Sequence, residues 1–163
     1  MSEDFYRASI LPFAGIIIKI CRAYTDSQQD FEDAYQEVCL QIWRSREGFR
    51  REAAQSTWVY RLALNVCLTQ LKRTRRRRET VTTDDVADQR ADVNTAFADD
   101  DLNRLYGAIR QLSEVDRAVI LLHLEEKPYR EIAEIIGTNA NNIGVRITRI
   151  KGRLRRLLDG PSD

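Results

Sequence analysis

A chain of 163 residues can form one ordinary domain or two small ones, since a hydrophobic core becomes marginal only well below about 60 residues. Its 43% hydrophobic and 31% charged residues are typical of a charge-rich globular protein and exclude a chain that is disordered throughout. The net charge of only +1 excludes a uniformly basic protein that coats nucleic acid. Any functional inference from charge therefore depends on how the 26 basic and 25 acidic residues are distributed along the chain.

The three cysteines, Cys21, Cys39 and Cys67, are odd in number, widely spaced and embedded in apolar patterns. A disulfide framework or a zinc site would need even numbers or close ligand pairs, so we expect neither a metal nor another cofactor. The first four residues lack the basic-then-apolar order of a signal peptide, and the apolar run 14–20 is far too short for a membrane span. These features predict a soluble protein of the reducing cytoplasm.

Apolar residues spaced three and four apart predict helices throughout the first half of the chain. A helix over 4–24 is expected to be interrupted near Pro12, whose ring does not fit a regular helix interior. A second helix is expected over 30–46, and a third begins near Ser56 or Thr57, either of which could cap it. The apolar face of the third helix consists of Val59, Leu62, Ala63 and Val66. This helix ends in a basic run, Lys72, Arg73, Arg75, Arg76, Arg77 and Arg78.

The segment 79–101 differs from both halves in composition, with one base, Arg90, and few large apolar groups before Phe97. Its eight acids are Glu79, Asp84, Asp85, Asp88, Asp92, Asp99, Asp100 and Asp101. Such a segment cannot bury enough surface to offset its ordering entropy, so we predict a flexible acidic linker. The expected organisation is all-α, with helical domains over 1–78 and 102–163 on either side of this linker.

The second half predicts three or four shorter helices, the clearest over 114–124, 129–136 and 140–158. Residues that begin or end helices flank them: Ser113, Pro128, Gly137 and Asn139. From 128 to 154 the sequence reads PYREIAEIIGTNANNIGVRITRIKGRL, which has the spacing of a helix-turn-helix.

Each helix of this motif has an apolar face. The first carries Tyr129, Ile132, Ala133 and Ile136, and the second carries Ile143, Ile147, Ile150 and Leu154. Arginines recur on the other face of the second helix, at 146, 149, 153 and 156. They follow amide side chains at 139, 141 and 142. A basic stripe alone is often only a solvated surface, but joined to the turn pattern it predicts a helix that enters the major groove of DNA.

Both halves resemble, in the same order, the extracytoplasmic-function (ECF) sigma factors, bacterial proteins that direct RNA polymerase to promoters. Residues 31–73, FEDAYQEVCLQIWRSREGFRREAAQSTWVYRLALNVCLTQLKR, resemble the second conserved region of that family, and residues 105–157 resemble the fourth. The resemblance implies binding to the beta-prime and beta subunits of core RNA polymerase and recognition of promoter DNA. It also implies control by an anti-sigma factor.

The resemblance further assigns residues to three surfaces. Docking on the beta-prime coiled coil is expected of acids and amides that suit a basic, polar partner: Asp33, Gln36, Glu37 and Gln41. Melting and reading of the minus-ten element is expected of Arg50, Arg51, Gln55, Ser56, Thr57, Trp58, Arg61 and Asn65. Reading of the minus-thirty-five element is expected of Asn141, Asn142, Val145, Arg146, Thr148, Arg149 and Arg153.

Two positions fit two roles or depart from the family pattern. Trp58 could stack on a base, although a tryptophan beside Tyr60 and Leu62 at a helix start is more often a core anchor. Gly144 and Val145 stand where the family usually carries a basic residue and a small polar one. The glycine removes a side chain that could read a base, so either the backbone approaches DNA closely or recognition shifts to other residues, Asn141, Asn142, Thr148 and Arg149.

Three other classes of function remain as alternatives. A stand-alone helix-turn-helix transcriptional regulator would bind duplex DNA without polymerase and leaves the pattern of 30–78 unexplained. A helical interaction protein would bind a regulator and never DNA. A small nuclease or metalloenzyme lacks ligands, because His123 lies alone in an apolar run and the cysteines have no partnering histidines. We therefore expect His123 to be structural or partner-facing, and we expect no enzymatic activity from the chain itself.

Overall fold

A computed structural model describes residues 2–47, 55–80 and 99–160, and every regular element in these ranges is a helix. The chain divides into two compact units, 1–96 and 97–163. The predicted all-α fold with two helical domains is therefore confirmed. Two predicted DNA-binding residues, Arg50 and Arg51, lie outside the described residues, as does the part of the predicted linker at 81–98.

The described part of the first unit, 2–47 and 55–80, contains four α-helices: α1 (Glu3–Phe5), α2 (Ala14–Tyr24), α3 (Gln28–Arg44) and α4 (Gln55–Thr80). A π-helical segment (Tyr6–Ile10) and a 3-10 turn (Leu11–Phe13) separate α1 from α2. The 3-10 turn holds Pro12, which agrees with the predicted interruption of the first helix. Ser27 begins α3 at Gln28 rather than at Asp30, because its side chain accepts a hydrogen bond from the Asp30 N–H at 3.1 Å.

The core of the first unit lies between α2, α3 and α4. Its buried side chains include Ile17, Ile20 and Cys21 from α2, Val38, Cys39 and Ile42 from α3, and Val59, Ala63, Val66 and Cys67 from α4. The predicted apolar face of α4 is therefore buried, apart from Leu62, which is half-buried. The three cysteines are free thiols in this core, with the Sγ atoms of Cys21 and Cys67 3.9 Å apart. They pack there as small apolar side chains.

The second unit contains α5 (Asp100–Ile109), α6 (Glu114–Leu124), α7 (Tyr129–Ile136) and α8 (Ala140–Asp159). The first of these begins inside the segment expected to be linker. Asp99 accepts a hydrogen bond from the Asp101 N–H at 2.9 Å, and acids are favourable near the positive end of a helix dipole. Ser113 caps α6 as predicted, accepting a hydrogen bond from the Asp116 N–H at 3.2 Å.

The predicted helix-turn-helix consists of α7 and α8. Gly137 ends α7 with a φ of 91°, a left-handed conformation that glycine adopts without a steric penalty. Pro128 stands just before the first helical residue, at the position of a cap, rather than inside the first turn. Asn139 caps α8 as predicted, accepting a hydrogen bond from the Asn142 N–H at 2.9 Å. The whole predicted apolar stripe of α8 is buried: Ile143, Ile147, Ile150 and Leu154.

Within the described ranges, none of the helices is long and apolar enough to cross a membrane. Nor do these residues bring together three His, Cys, Asp or Glu side chains in a group that could hold a metal ion.

Candidate nucleic-acid interface

The outer surface of α8 is the first candidate interface. At about 100° per residue, Asn141, Val145 and Arg149 lie on the side of α8 opposite its buried stripe. All three are exposed, and Val145 is 66% exposed. We call these three residues the α8 ridge. The side chains of Asn141 and Arg149 form no hydrogen bond or ion pair within the part of the chain that the structure describes, so both are available to a partner.

Arg146 of α8 is engaged inside the unit. Its guanidinium donates a hydrogen bond to Asp116 Oδ1 at 2.8 Å, and the Asp116 side chain is only 17% exposed. Because the backbone N–H of Asp116 is itself bound by the α6 cap Ser113, the ion pair ties α8 to the first turn of α6. This contact gives Arg146 a role in positioning the helix, which the arginine periodicity did not indicate.

Arg153 is engaged in a similar way. Its guanidinium donates to the backbone carbonyl of Gln111 at 2.9 Å, in the turn between α5 and α6. Arg104 of α5 donates in turn to the carbonyl of Leu158, near the end of α8, at 2.9 Å. These contacts fasten the second half of α8 to the preceding helices, and they occupy part of the predicted basic face.

Two further residues predicted to read DNA direct polar groups toward their own helix or turn. The Asn142 amide donates to Thr138 Oγ1 at 3.0 Å, and the Thr148 hydroxyl donates to the Gly144 carbonyl at 3.1 Å. Both residues are exposed, so they can still reach a partner, but the present hydrogen bonds would have to change.

Gly144 lies beside α7 rather than on the α8 ridge. A Cβ built at this position would lie 3.5 Å and 3.7 Å from two carbons of the Tyr129 ring, which is ordinary van der Waals contact. An alanine would therefore fit beside the Tyr129 ring, so packing against α7 does not require glycine at this position. A side chain here would face the neighbouring helix and not the α8 ridge.

His123 is half-buried near the end of α6, and its ring centroid lies 6.0 Å from that of Tyr129. Burial lowers the pKa of His123 below its ordinary value, and the nearby charge of Lys151 lowers it further. The neutral ring therefore packs against the base of the helix-turn-helix, as expected for a structural histidine.

The start of α4 is the second candidate interface. Gln55, Arg61 and Asn65 are exposed along this helix, whereas Thr57 is only 4% exposed. Gln55–Trp58 lie within the first turn of α4. Neither Ser56 nor Thr57 is the residue that precedes the helix, so the prediction that one of them caps it is wrong.

Trp58 occupies an intermediate position in this first turn. It is half-buried, whereas its neighbours Val59 and Tyr60 are buried. Trp58 is therefore neither a fully buried core anchor nor a fully exposed platform for a base.

The predicted polymerase-binding residues lie along α3. Asp33 and Gln36 are exposed, and Glu37 and Gln41 are half-buried. The Gln41 amide donates to Glu37 Oε1 at 3.2 Å, and Gln29 donates to Asp33 Oδ1 at 3.0 Å. The four side chains form a polar, acidic strip on one helix, in which Asp33, Glu37 and Gln41 take part in hydrogen bonds one turn apart.

A cleft of about 200 Å³ connects this strip to α4. It is lined by Glu37 and Gln41 from α3 and by Asn65, Val66, Thr69, Gln70 and Arg73 from α4. The sequence assigned Asn65 to DNA and Glu37 to polymerase, yet the structure places both at one cleft. Thr69 was not assigned to any surface and Arg73 was predicted only as part of the basic run, although polar residues at 65, 69 and 73 follow a four-residue helical spacing that indicates a common face.

The basic run at the end of α4 is helical, and its arginines are exposed. Arg78 forms an ion pair with Asp26 Oδ2 at 3.3 Å, which joins the end of α4 to the turn between α2 and α3. Both partners are more than a third exposed, so this pair contributes little to stability.

Comparison with known proteins identifies the family. Two family models match the chain, Sigma-70 region 2 over residues 12–77 and Sigma-70, region 4, over residues 102–154. The ECF RNA polymerase sigma factor SigM of Mycobacterium tuberculosis is 30% identical over 144 residues, covering 86% of this chain and 70% of SigM. The chain belongs to the ECF sigma factor family. The predicted resemblance is confirmed in both units.

Two more relatives of this ECF sigma factor agree. The sigma-E factor of Haemophilus influenzae is 32% identical over 139 residues, covering 77% of this chain and 72% of that protein. SigG of Mycobacterium tuberculosis is 30% identical over 185 residues and matches 97% of this chain. The chain spans about half the length of SigG, since the match covers 50% of that protein.

Two solved structures share its fold. The sigma factor RpoE from Bartonella quintana, determined in complex with the anti-sigma factor NepR, has a TM-score of 0.73 at 22% identity and covers 99% of this chain and 100% of that one. CnrH, determined in complex with the cytosolic domain of CnrY, has a TM-score of 0.71 at 18% identity, with coverage of 99% and 92%. At these identities the likeness shows the fold alone.

Proposed function

We propose that this ECF sigma factor binds core RNA polymerase, opens the minus-ten element and reads the minus-thirty-five element, so that transcription starts at particular promoters. The observation that carries the proposal is the match of the two sigma regions to two separate helical units, in the order of the family. Nucleotide addition belongs to the polymerase, and the chain contributes recognition. The cytoplasm is the proposed place of action, in keeping with three free thiols.

The second unit is proposed to read the minus-thirty-five element with α8 in the major groove. The α8 ridge supplies an amide, an apolar side chain and a guanidinium, which are groups that contact base edges and phosphates. Arg146 and Arg153 are proposed to fix the position of α8 through their contacts with Asp116 and Gln111.

The first unit is proposed to open and hold the minus-ten element at the start of α4. The exposed Gln55, Arg61 and Asn65 support this role, since single-stranded bases and their phosphates bind amides and cations. Arg50 and Arg51 belong to the same proposed surface. Arginines at the far end of α4 add salt-dependent affinity for the DNA backbone.

Polymerase binding is proposed for the acidic strip of α3, against the coiled coil of the beta-prime subunit. The strip is polar, and carboxylates and amides on one helix face complement a basic surface. The cleft beside Glu37 offers a place for a side chain of the partner to enter between α3 and α4.

The acidic linker is proposed to keep nonspecific DNA away and to thread the positively charged RNA channel of the polymerase. A linker of scrambled order and equal charge should then support initiation, whereas a neutral linker of equal length should weaken it. Equal transcription with both variants would remove this role for its charge.

An anti-sigma factor is proposed to cover the polymerase-binding surface until a stimulus releases it. The proposal is supported by two proteins of the same fold, RpoE and CnrH, which were determined with NepR and with the cytosolic domain of CnrY. The expected partner competes with core polymerase for the α3 strip. Simultaneous binding of both at this strip would exclude the competition.

Charge reversal on α3 tests the polymerase-binding part of the proposal. Glu37→Lys places a cation in the acidic strip and should weaken association with core enzyme by at least tenfold, since like charges across an interface cost several kcal/mol. Glu32→Lys is the matched control, because Glu32 is exposed on the same helix about 140° away from Glu37. Association is measured by titration of core enzyme with the labelled full chain.

Equal loss of affinity in both variants would show that net charge, and not the strip, governs binding. Promoter-selective binding by the chain alone, with no affinity for core enzyme, would favour the stand-alone regulator instead.

A further inference from the structure

We infer that Val145 reads the 5-methyl group of a thymine in the minus-thirty-five element, an inference that rests on the proposed function of α8. Among the large apolar side chains of the described residues, Val145 has the largest exposed fraction, 66%. It stands at the middle of the α8 ridge, opposite the buried stripe. A partner that covers this ridge therefore has to accommodate an apolar group at its centre.

Packing within the unit does not account for this valine. The side chain is exposed, and a β-branched residue has a lower helix propensity than alanine, so neither the core nor the helix gains from it. Its neighbours on the same helix are polar, which makes an apolar partner protein a poor match for the ridge as a whole.

The chemistry of the ridge matches the edges of base pairs in the major groove. Thymine carries the apolar methyl group of that groove, asparagine pairs with the edge of adenine, and arginine pairs with the edge of guanine. Asn141 and Arg149 stand one helical turn to either side of Val145, and their side chains form no hydrogen bond or ion pair within the described ranges.

The spacing is also compatible with one short stretch of duplex. Four residues of helix advance about 6 Å, and one base step advances about 3.4 Å, so neighbours on the ridge are about two base steps apart. Arg146 and Arg153 are held by contacts inside the unit, whereas Arg156 is exposed on the same side of α8 as the ridge, about two turns beyond Arg149. In the first half of α8, the three ridge residues are therefore exposed side chains without hydrogen bonds of their own, and they are placed to read bases.

Replacement of thymine by uracil tests the inference, because it removes only the 5-methyl group. The full chain is combined with core polymerase, a preferred promoter is selected from a library, and each thymine of its minus-thirty-five element is replaced in turn. One replacement should weaken promoter binding by about fourfold, the effect of one buried methyl group. The Val145→Ala variant should bind the thymine and uracil promoters equally.

Val115→Ala is the matched control, since it makes the same change at an exposed valine of α6 in the same unit. This variant should keep the fourfold difference between thymine and uracil. Selective binding with no sensitivity to uracil, or sensitivity that survives in Val145→Ala, would overturn the inference and leave the proposed function standing. Absence of promoter-selective binding would overturn the proposed function together with the inference.

Discussion

Arg146→Met separates an arginine that positions α8 from one that binds DNA. The change keeps an aliphatic stem over the helix surface but removes the 2.8 Å bond to Asp116 Oδ1. A hydrogen bond between charged groups contributes roughly 1.5–3 kcal/mol. Because the Arg146 side chain is 35% exposed, solvent screening reduces this value, and we expect a loss of about 1–2 kcal/mol.

Native-state hydrogen exchange of the full chain measures this loss at the amides of α6 and α8, because local opening of these helices raises the exchange rates of their amides. Asp116→Asn should destabilise the same amides, and the double variant should lose less than the sum of the two single losses, with a coupling energy of about 1 kcal/mol. Arg149→Met is the matched control on the same helix. It should change the free energy of opening at these amides by less than about 0.5 kcal/mol. It should also weaken promoter binding by the holoenzyme.

An Arg146→Met variant that leaves hydrogen exchange unchanged and weakens promoter binding as much as Arg149→Met does would contradict this role of Arg146. That result would make Arg146 a DNA contact, as its sequence periodicity predicted, and would assign no structural role to its ion pair.

Three further predictions concern His123, the glycines of the helix-turn-helix and the buried cysteines. The lowered pKa of His123 means that the unfolded state binds a proton first as pH falls. Stability of the second unit should be full above about pH 6.5 and fall below it, and His123→Gln should flatten this dependence in thermal melts. Gly144→Ala should stabilise α8 by up to about 1 kcal/mol, whereas Gly137→Ala, at a φ of 91°, should destabilise by about as much in urea titrations. Burial raises the pKa of Cys39 to about 11, and hydrogen bonding to Cys21 with burial raises that of Cys67, so iodoacetamide at about pH 8 should label the unfolded chain but not the native one. Opposite signs for the glycine variants, a pH dependence unaltered by His123→Gln, or rapid native labelling would each contradict its prediction.

Local signals in the sequence predicted the helices of the second unit closely. The bounds of α6 and α7 agree with the predicted 114–124 and 129–136, because Ser113 and Gly137 are strong signals within a few residues of the helix ends. The buried stripe of α8 followed from its apolar spacing. Helix ends and the buried face of a helix depend on residues close together in the sequence, so capping residues and apolar spacing predict them directly.

Tertiary contacts explain most of what the sequence did not indicate. Arg146 meets a residue 30 positions away, and Arg153 meets one 42 positions away, so their periodicity showed a cationic face but not what the face touches. The polar side chains that line the cleft beside Glu37 come from two helices, and only their packing brings Asn65 to Gln41. The roles of these residues in DNA and polymerase binding stay predictions, because they depend on partners that recognise the surface.

The most direct test of the central claim is promoter-dependent transcription from a randomised promoter library by bacterial core enzyme, with and without the purified full chain. The account predicts that the chain selects a subset of promoters that share two sequence elements at a fixed spacing, and that core enzyme alone does not. Transcripts that are the same in number and start site with and without the chain would contradict it.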